Sequence, residues 1–143
     1  MSWPKGPWVA DTSAWARAGV KEVAPQWREV VKAGELVACP PVTMEMIFDA
    51  PDRDAVERVA VAMAGFRQAP ISRSVTDAAT WAMRELAQRG AAGAHRVRVP
   101  DALIAAAAAE RGFGVLHYDR HFDTLATVLA FTSKWVAPAG SID

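Results

Sequence analysis

Two aspartates and two histidines crowd into Val115–Asp123, VLHYDRHFD, directly behind a short apolar run. Such a set serves three different ends: a metal site, a nucleophile–base pair, or a polar turn that closes a strand. Three other carboxylates bear on the choice. Asp11, like Asp119, stands just past the C-terminal end of an expected strand, where open parallel sheets form their ligand crevice. Asp101 falls in the first turn of an expected helix. Glu45 lies mid-helix among Val42, Met46 and Ile47, where a carboxylate costs free energy unless it is paired or bound to a cation. Four converging carboxylates repel one another, which raises their pKa values until a divalent cation or a shared proton compensates. Hard oxygen donors favour Mg²⁺ or Mn²⁺, and such an ion activates water and steadies charge on a phosphoryl group. Taken singly, Asp11 and Asp101 are ordinary helix-capping residues. Periodicity does not show that the four meet.

The elements that must position them read as follows. Trp8–Ala10 is a short apolar strand, and Asp11-Thr12-Ser13 supplies capping chemistry behind it. Pro25 suits the first turn of a helix with Trp27, Val30 and Val31 on one face and Gly34 at its end. A second strand over 36–39 stops at Pro40-Pro41, and a helix over 42–50 follows. The stripe Val56, Val59, Met63 and Phe66 predicts an amphipathic helix over 52–66. Ser74 is expected to cap the next helix, which runs to about Arg89 and buries Trp81 and Leu86. Pro100 opens a helix over 101–111, whose run from Ala105 to Ala109 implies close packing on a sheet. A strand over 114–118, a short helix over 122–130 and a weak edge strand over 134–137 complete the chain. Met44, Met46 and Ile47 are read as core. Strands alternating with helices predict an α/β fold around a parallel sheet.

Bulk properties narrow the function. At 143 residues the chain is expected to form a single domain, 1–143, with a real core. Sixteen basic against sixteen acidic residues leave no net charge, so no global basic field marks a nucleic-acid binder, although an acidic site can cancel a basic rim. The lone Cys39 fits a reducing cytoplasm, the expected location, and reads as a buried small hydrophobe. No apolar run approaches the ~20 residues of a membrane span. His117 and His121 lack partners for zinc, since the chain has one cysteine and no ligand cluster. His117, within a strand pattern, reads as structural. No G-x-S-x-G elbow and no Walker A or dinucleotide glycine fingerprint is present. A receiver-like phosphoacceptor would need a late lysine, and Lys134 is poorly placed.

The segments VADTSAW, PPVTMEM, VPDALIAAAAAERGFGVLHYDRHFDTLA and WVAPAGS, in this order, resemble the PIN-domain ribonucleases, in particular the VapC toxins of bacterial toxin–antitoxin pairs. The resemblance implies a three-layer α/β/α sandwich with a central parallel sheet. It implies that the four acids are Asp11, Glu45, Asp101 and Asp119, holding Mg²⁺ or Mn²⁺, with Thr12 and Ser13 at the hydroxyl positions after the first acid. Such enzymes cut cellular RNA, tRNA or rRNA, by metal-activated water and so inhibit translation. It further implies a homodimer silenced by a cognate antitoxin, with DNA contacted only through that antitoxin and no membrane partner. Arg96 and Arg98 are candidate contacts to RNA phosphates. Where relatives often carry a further acid, this chain has His121. His121 and Asp123 are therefore additional candidate metal ligands, although Asp123 also suits a helix cap. Imidazole predicts a preference for Mn²⁺. The substitution also leaves a second reading, a catalytically weakened PIN domain that acts by binding RNA or antitoxin.

Overall fold

The computed structural model describes residues 2–143. Five parallel strands form one sheet: β1 (Trp8–Ala10), β2 (Leu36–Ala38), β3 (Arg67–Gln68), β4 (Gly114–His117) and β5 (Ser133–Trp135). Their order is β3-β2-β1-β4-β5. The chain builds outward from β1 to β2 and β3, then returns to lay β4 and β5 on the other side. The strand order thus reverses between β1 and β4, which is where a parallel sheet opens its crevice. Val9, Val37 and Val115 point into one apolar cluster, and Trp8, Ala10, Leu36 and Leu116 into the other, so both faces of the sheet are covered.

Among the described residues seven helices, α1 (Thr12–Trp15), α2 (Ala24–Lys32), α3 (Pro40–Asp49), α4 (Arg53–Ala64), α5 (Arg73–Arg89), α6 (Val99–Glu110) and α7 (Arg120–Leu125), supply the outer layers. The result is the expected α/β/α sandwich. Residues Ala105–Ala108 of α6 are fully buried, and their small side chains let α6 lie close against α5, β1 and β4. Gly114 pairs with Trp8 across the β1–β4 ladder, and a Cβ there would run into the Trp8 ring. Cys39 is buried, as expected, and burial pushes its thiol up to about 12.

Several local expectations need correction. β3 was not expected, because its two residues are exposed, polar and without alternation. Ser72, not Ser74, caps α5 by accepting the Val75 N–H; the Ser74 hydroxyl reaches Glu110 instead. Trp81 is 48% exposed, since Val75, Ala79, Ala82 and Leu86 already make the buried stripe of α5. Val31 and Met44 are also exposed, and Met46 and Ile47 only half-buried. Pro40 and Pro41 start α3 rather than merely stopping β2, as proline does in a first helical turn. The final helix ends at Leu125, well before Ala130, and becomes a turn.

Candidate metal centre

The crevice is built from two copies of one local device. β1 ends immediately before Asp11, whose extended backbone caps α1; β4 ends two residues before Asp119, which caps α7. Capping aims each carboxylate at the helix N-terminus, where the macrodipole favours negative charge. Asp11 Oδ1 accepts the Ala14 N–H at 3.1 Å and the Ser13 hydroxyl at 2.7 Å. Asp119 Oδ1 accepts the His121 N–H at 2.9 Å. The Asp11 N–H donates to Leu116 O at 3.0 Å, tying the two strand ends together. Ser13 spans the gap as well, because its oxygen accepts the Tyr118 N–H at 2.8 Å.

Asp101 enters from the first turn of α6, with 1% of its surface exposed. Its Oδ2 lies 3.2 Å from His121 Nδ1, which in turn lies 3.8 Å from Asp119 Oδ1. Asp101, Asp119 and His121 each offer one donor atom, and the three atoms fall within 4.8 Å of one another. The Arg98 N–H donates to the same His121 nitrogen at 3.3 Å. With Nδ1 accepting, that nitrogen and Asp101 Oδ2 are two acceptors at close range, an arrangement that a shared proton or a cation relieves.

Electrostatics point the same way. Burial pushes the Asp11 carboxyl up to about 7, and the charge of Asp101 adds to the rise against the lowering hydrogen bonds from Ser13 and Ala14. Burial likewise raises Asp101 to about 6, with Asp119 adding repulsion and His121 and Arg98 opposing it. Buried carboxylates that resist ionisation are stabilised by a bound cation. A mostly oxygen donor set with one imidazole fits Mg²⁺ or Mn²⁺ chemically, the nitrogen favouring Mn²⁺.

Glu45 reaches the site from α3 and is not a bare charge in an apolar stripe. Its Oε1 accepts the Thr12 hydroxyl at 3.0 Å, and its Oε2 pairs with Arg98 at 2.7 Å. Holding that hydrogen bond, and facing Asp101 and Asp119, the Arg98 guanidinium is shifted above its ordinary value. Arg96 is exposed in the turn before α6, and among the described residues no side-chain hydrogen bond or ion pair joins it to the acids.

Asp123 is the candidate that the structure takes elsewhere. It points away from the cluster, accepting the Ser133 hydroxyl at 2.7 Å and the Trp135 indole N–H at 2.8 Å. Nor does it cap α7, since Asp119 does. His117 is fully buried, as its strand position predicted, and burial holds its imidazole down at about 4. Ser133 was not singled out from sequence and Trp135 only as the first residue of the WVAPAGS segment; no local pattern links either to His117, and only strand pairing brings them there.

The PIN domain family model matches residues 9–128. Ribonuclease VapC18 of Mycobacterium tuberculosis is 32% identical over 92% of this chain and 96% of its own length. Ribonuclease VapC51 of the same organism is 32% identical over 95% and 97%. Among solved structures, DNA-bound VapBC from Salmonella typhimurium superposes with a TM-score of 0.68 at 16% identity, covering 91% of this chain and 98% of the matched one. FitAcB from Neisseria gonorrhoeae gives 0.64 at 15% identity, covering 94% and 96%. At those identities the structural likeness speaks for the fold. The family match runs from the strand that delivers Asp11 to the turn beyond α7, taking in both halves of the crevice, and the chain therefore belongs to the PIN-domain family.

Proposed function

We propose that this chain is one PIN domain acting as a metal-dependent endoribonuclease, the toxin of a toxin–antitoxin pair that cuts tRNA or rRNA and halts translation. The observation that carries the proposal is the meeting of Asp101, Asp119 and His121 at the β1–β4 switch point, with Asp11 close behind. Two relatives aligned almost end to end bear the name ribonuclease, and several structural neighbours are toxin–antitoxin complexes.

Asp11, Asp101 and Asp119 would hold Mg²⁺ or Mn²⁺, with Glu45 binding directly or through water and His121 as an additional nitrogen ligand. When bound there, such an ion would supply an activated water as the nucleophile toward a phosphodiester and positive charge for the phosphoryl oxygens. The protein's own residues do the rest. Ser13 orients the Asp11 carboxylate and pins the Tyr118 amide. Thr12 and Arg98 hold Glu45. Arg98, half-exposed and paired with Glu45, would exchange that partner for an RNA phosphate, and the exposed Arg96 is a second candidate contact. Such contacts make RNA affinity fall with salt.

The partner expected on this reading is a cognate antitoxin, with the toxin as a homodimer and DNA reached only through the antitoxin. Its support in this molecule is apolar surface: Phe48 is 88% exposed, Met44 and Val61 are exposed, and a shallow groove between α3 and α4 is lined by Pro40, Met44, Ala60 and Met63. Exposed apolar patches of this kind mark association surfaces. No helix among the described residues is long and apolar enough to cross a membrane; the site of action on this reading is the cytoplasm.

Expression in a bacterial host without antitoxin tests the proposal. Growth arrest is expected for the natural chain and not for Asp11→Ala, with Mg²⁺- or Mn²⁺-dependent RNA ends mapped in vitro. Arrest that persists unchanged in Asp11→Ala would replace the nuclease reading with action by binding alone.

A further inference from the structure

Behind the metal-facing side of the crevice runs a second polar path. The Asp119 N–H donates to His117 Nδ1 at 3.2 Å. His117 Nε2 lies 2.6 Å from Ser133 Oγ, Ser133 donates to Asp123 Oδ1 at 2.7 Å, and Trp135 donates its indole N–H to Asp123 Oδ2 at 2.8 Å. The donors leave one assignment. A main-chain N–H cannot accept, so Nδ1 is the acceptor and the imidazole proton sits on Nε2. The serine oxygen then receives that proton's bond and passes its own hydrogen to the carboxylate. The path is directional from the Asp119 backbone to a carboxylate that is half-exposed at the far end.

The ring itself is clamped. Phe122 stacks on it at 5.0 Å with planes 28° apart, and Trp135 meets it edge-on at 5.1 Å. The loop it holds is short and carries two of the three clustered donors, Asp119 and His121. The neighbouring amide of the same loop, Tyr118 N–H, is tied through Ser13 to the Asp11 carboxylate. Two consecutive amides are thus each anchored to an acid, Tyr118 through Ser13 and Asp119 through His117 and Ser133.

We infer that His117, held as its Nε2–H tautomer by Ser133, Asp123 and Trp135, is a positioning residue that sets the Asp119 loop for metal binding. Asp123 serves this purpose rather than coordination. The inference rests on the metal-dependent reading of the crevice. Outer partners of this kind typically contribute ten- to a hundredfold in metal affinity.

The full-length chain, titrated with Mn²⁺ by electron paramagnetic resonance and observed by imidazole ¹⁵N NMR, tests it. The natural chain should show a neutral His117 protonated at Nε2. In His117→Asn the amide oxygen replaces Nδ1 as acceptor for Asp119 N–H, whereas in His117→Gln the polar atoms move out to the Nε2 position. Both lose the ring packing, the shorter asparagine more than glutamine, so a merely structural role predicts a loss for His117→Asn at least as large as that for His117→Gln. Positioning predicts near-natural Mn²⁺ affinity for His117→Asn and about tenfold weaker binding for His117→Gln. Should both variants fail to fold, Asp123→Ala, at the exposed end, carries the test. It frees the Ser133 hydrogen to turn back on Nε2, giving a mixed tautomer and weaker Mn²⁺ binding. A Mn²⁺ affinity no higher in His117→Asn than in His117→Gln, an Nδ1–H tautomer in the natural chain, or an unaltered tautomer and affinity in Asp123→Ala overturns the role. A natural chain that binds no Mn²⁺ sinks the metal reading and the role with it. A chain that binds Mn²⁺ but ignores these variants loses the role alone.

Discussion

The loops after β1 and after β4 share a plan, yet their acids live in different media. Asp11 is 3% exposed and its carboxyl is pushed up to about 7, chiefly by burial. Asp119 is partly open to solvent and stands beside an imidazole. Asp11 is fastened through its carboxylate, by Ser13 and Ala14, while the Asp119 loop is fastened largely through its main chain, by His117. The same strand–acid–cap device therefore yields a deep carboxylate that is costly to ionise and a shallow one that is held from behind. Depth, not local sequence, sets the difference. A cation between them, on the proposed reading, would offset the cost of the first and use the accessibility of the second.

Neutralising each acid in turn is the strongest way to break the comparison. Asp11→Asn and Asp119→Asn should each lower metal-dependent RNA cleavage by about a hundredfold or more, the scale for losing a charge-stabilising group. Their stabilities should part. Asparagine can still accept from Ser13 and Ala14 but carries no buried charge, so metal-free Asp11→Asn should melt several degrees above the natural chain at pH 8. Asp119→Asn should change little. A lower melting temperature for Asp11→Asn would mean that burial does not dominate at that position.

The pH dependence sharpens the same contrast with a smaller effect. An acid whose folded pKa exceeds its unfolded value holds its proton more tightly when folded. Stability is then lost as pH rises from 3.8 through about 7 for Asp11, and from 3.8 through about 6 for Asp101. His117 runs the other way: with a folded value near 4 against 6.5, it costs stability as pH falls through that window. Two acids outweigh one histidine, so the metal-free chain should melt a few degrees lower at pH 8 than at pH 5. Adding Mn²⁺ should raise the pH 8 value more, since the ion stabilises the ionised acids. Calorimetry at both pH values, with and without Mn²⁺, checks the sign.

The smallest expected effect concerns the shallow side. His121→Asp restores a hard oxygen donor and should tighten Mg²⁺ binding while narrowing the preference for Mn²⁺. Isothermal titration that finds neither change removes His121 from the coordination set.

Sequence went furthest where a pattern is local. Asp11 behind an apolar triplet, Pro100-Asp101 ahead of an alanine run, and Val115–His117 before Asp119 each state an element and its boundary within a few residues. It went less far where a residue's neighbours come from elsewhere in the chain. Trp81 looked like core because its helix is amphipathic, but smaller residues filled that face. Asp123, two positions beyond a ligand-like histidine, looked like another ligand until strand pairing supplied Ser133 and Trp135 as its partners. Glu45 looked uncompensated because Arg98, its partner, is 53 positions away.

By itself, then, the sequence determined most of the strand-and-helix alternation, the α/β class, Asp11 as a helix cap and the small-residue face of α6, because each follows from the chemistry of residues a turn or a strand apart. Only the tertiary structure decided which acids share a crevice. The order β3-β2-β1-β4-β5 places β1 against β4, and with them the loops of Asp11 and Asp119, although more than a hundred residues separate the two. Convergence is a property of sheet order and helix packing, and no spacing along the chain encodes it directly.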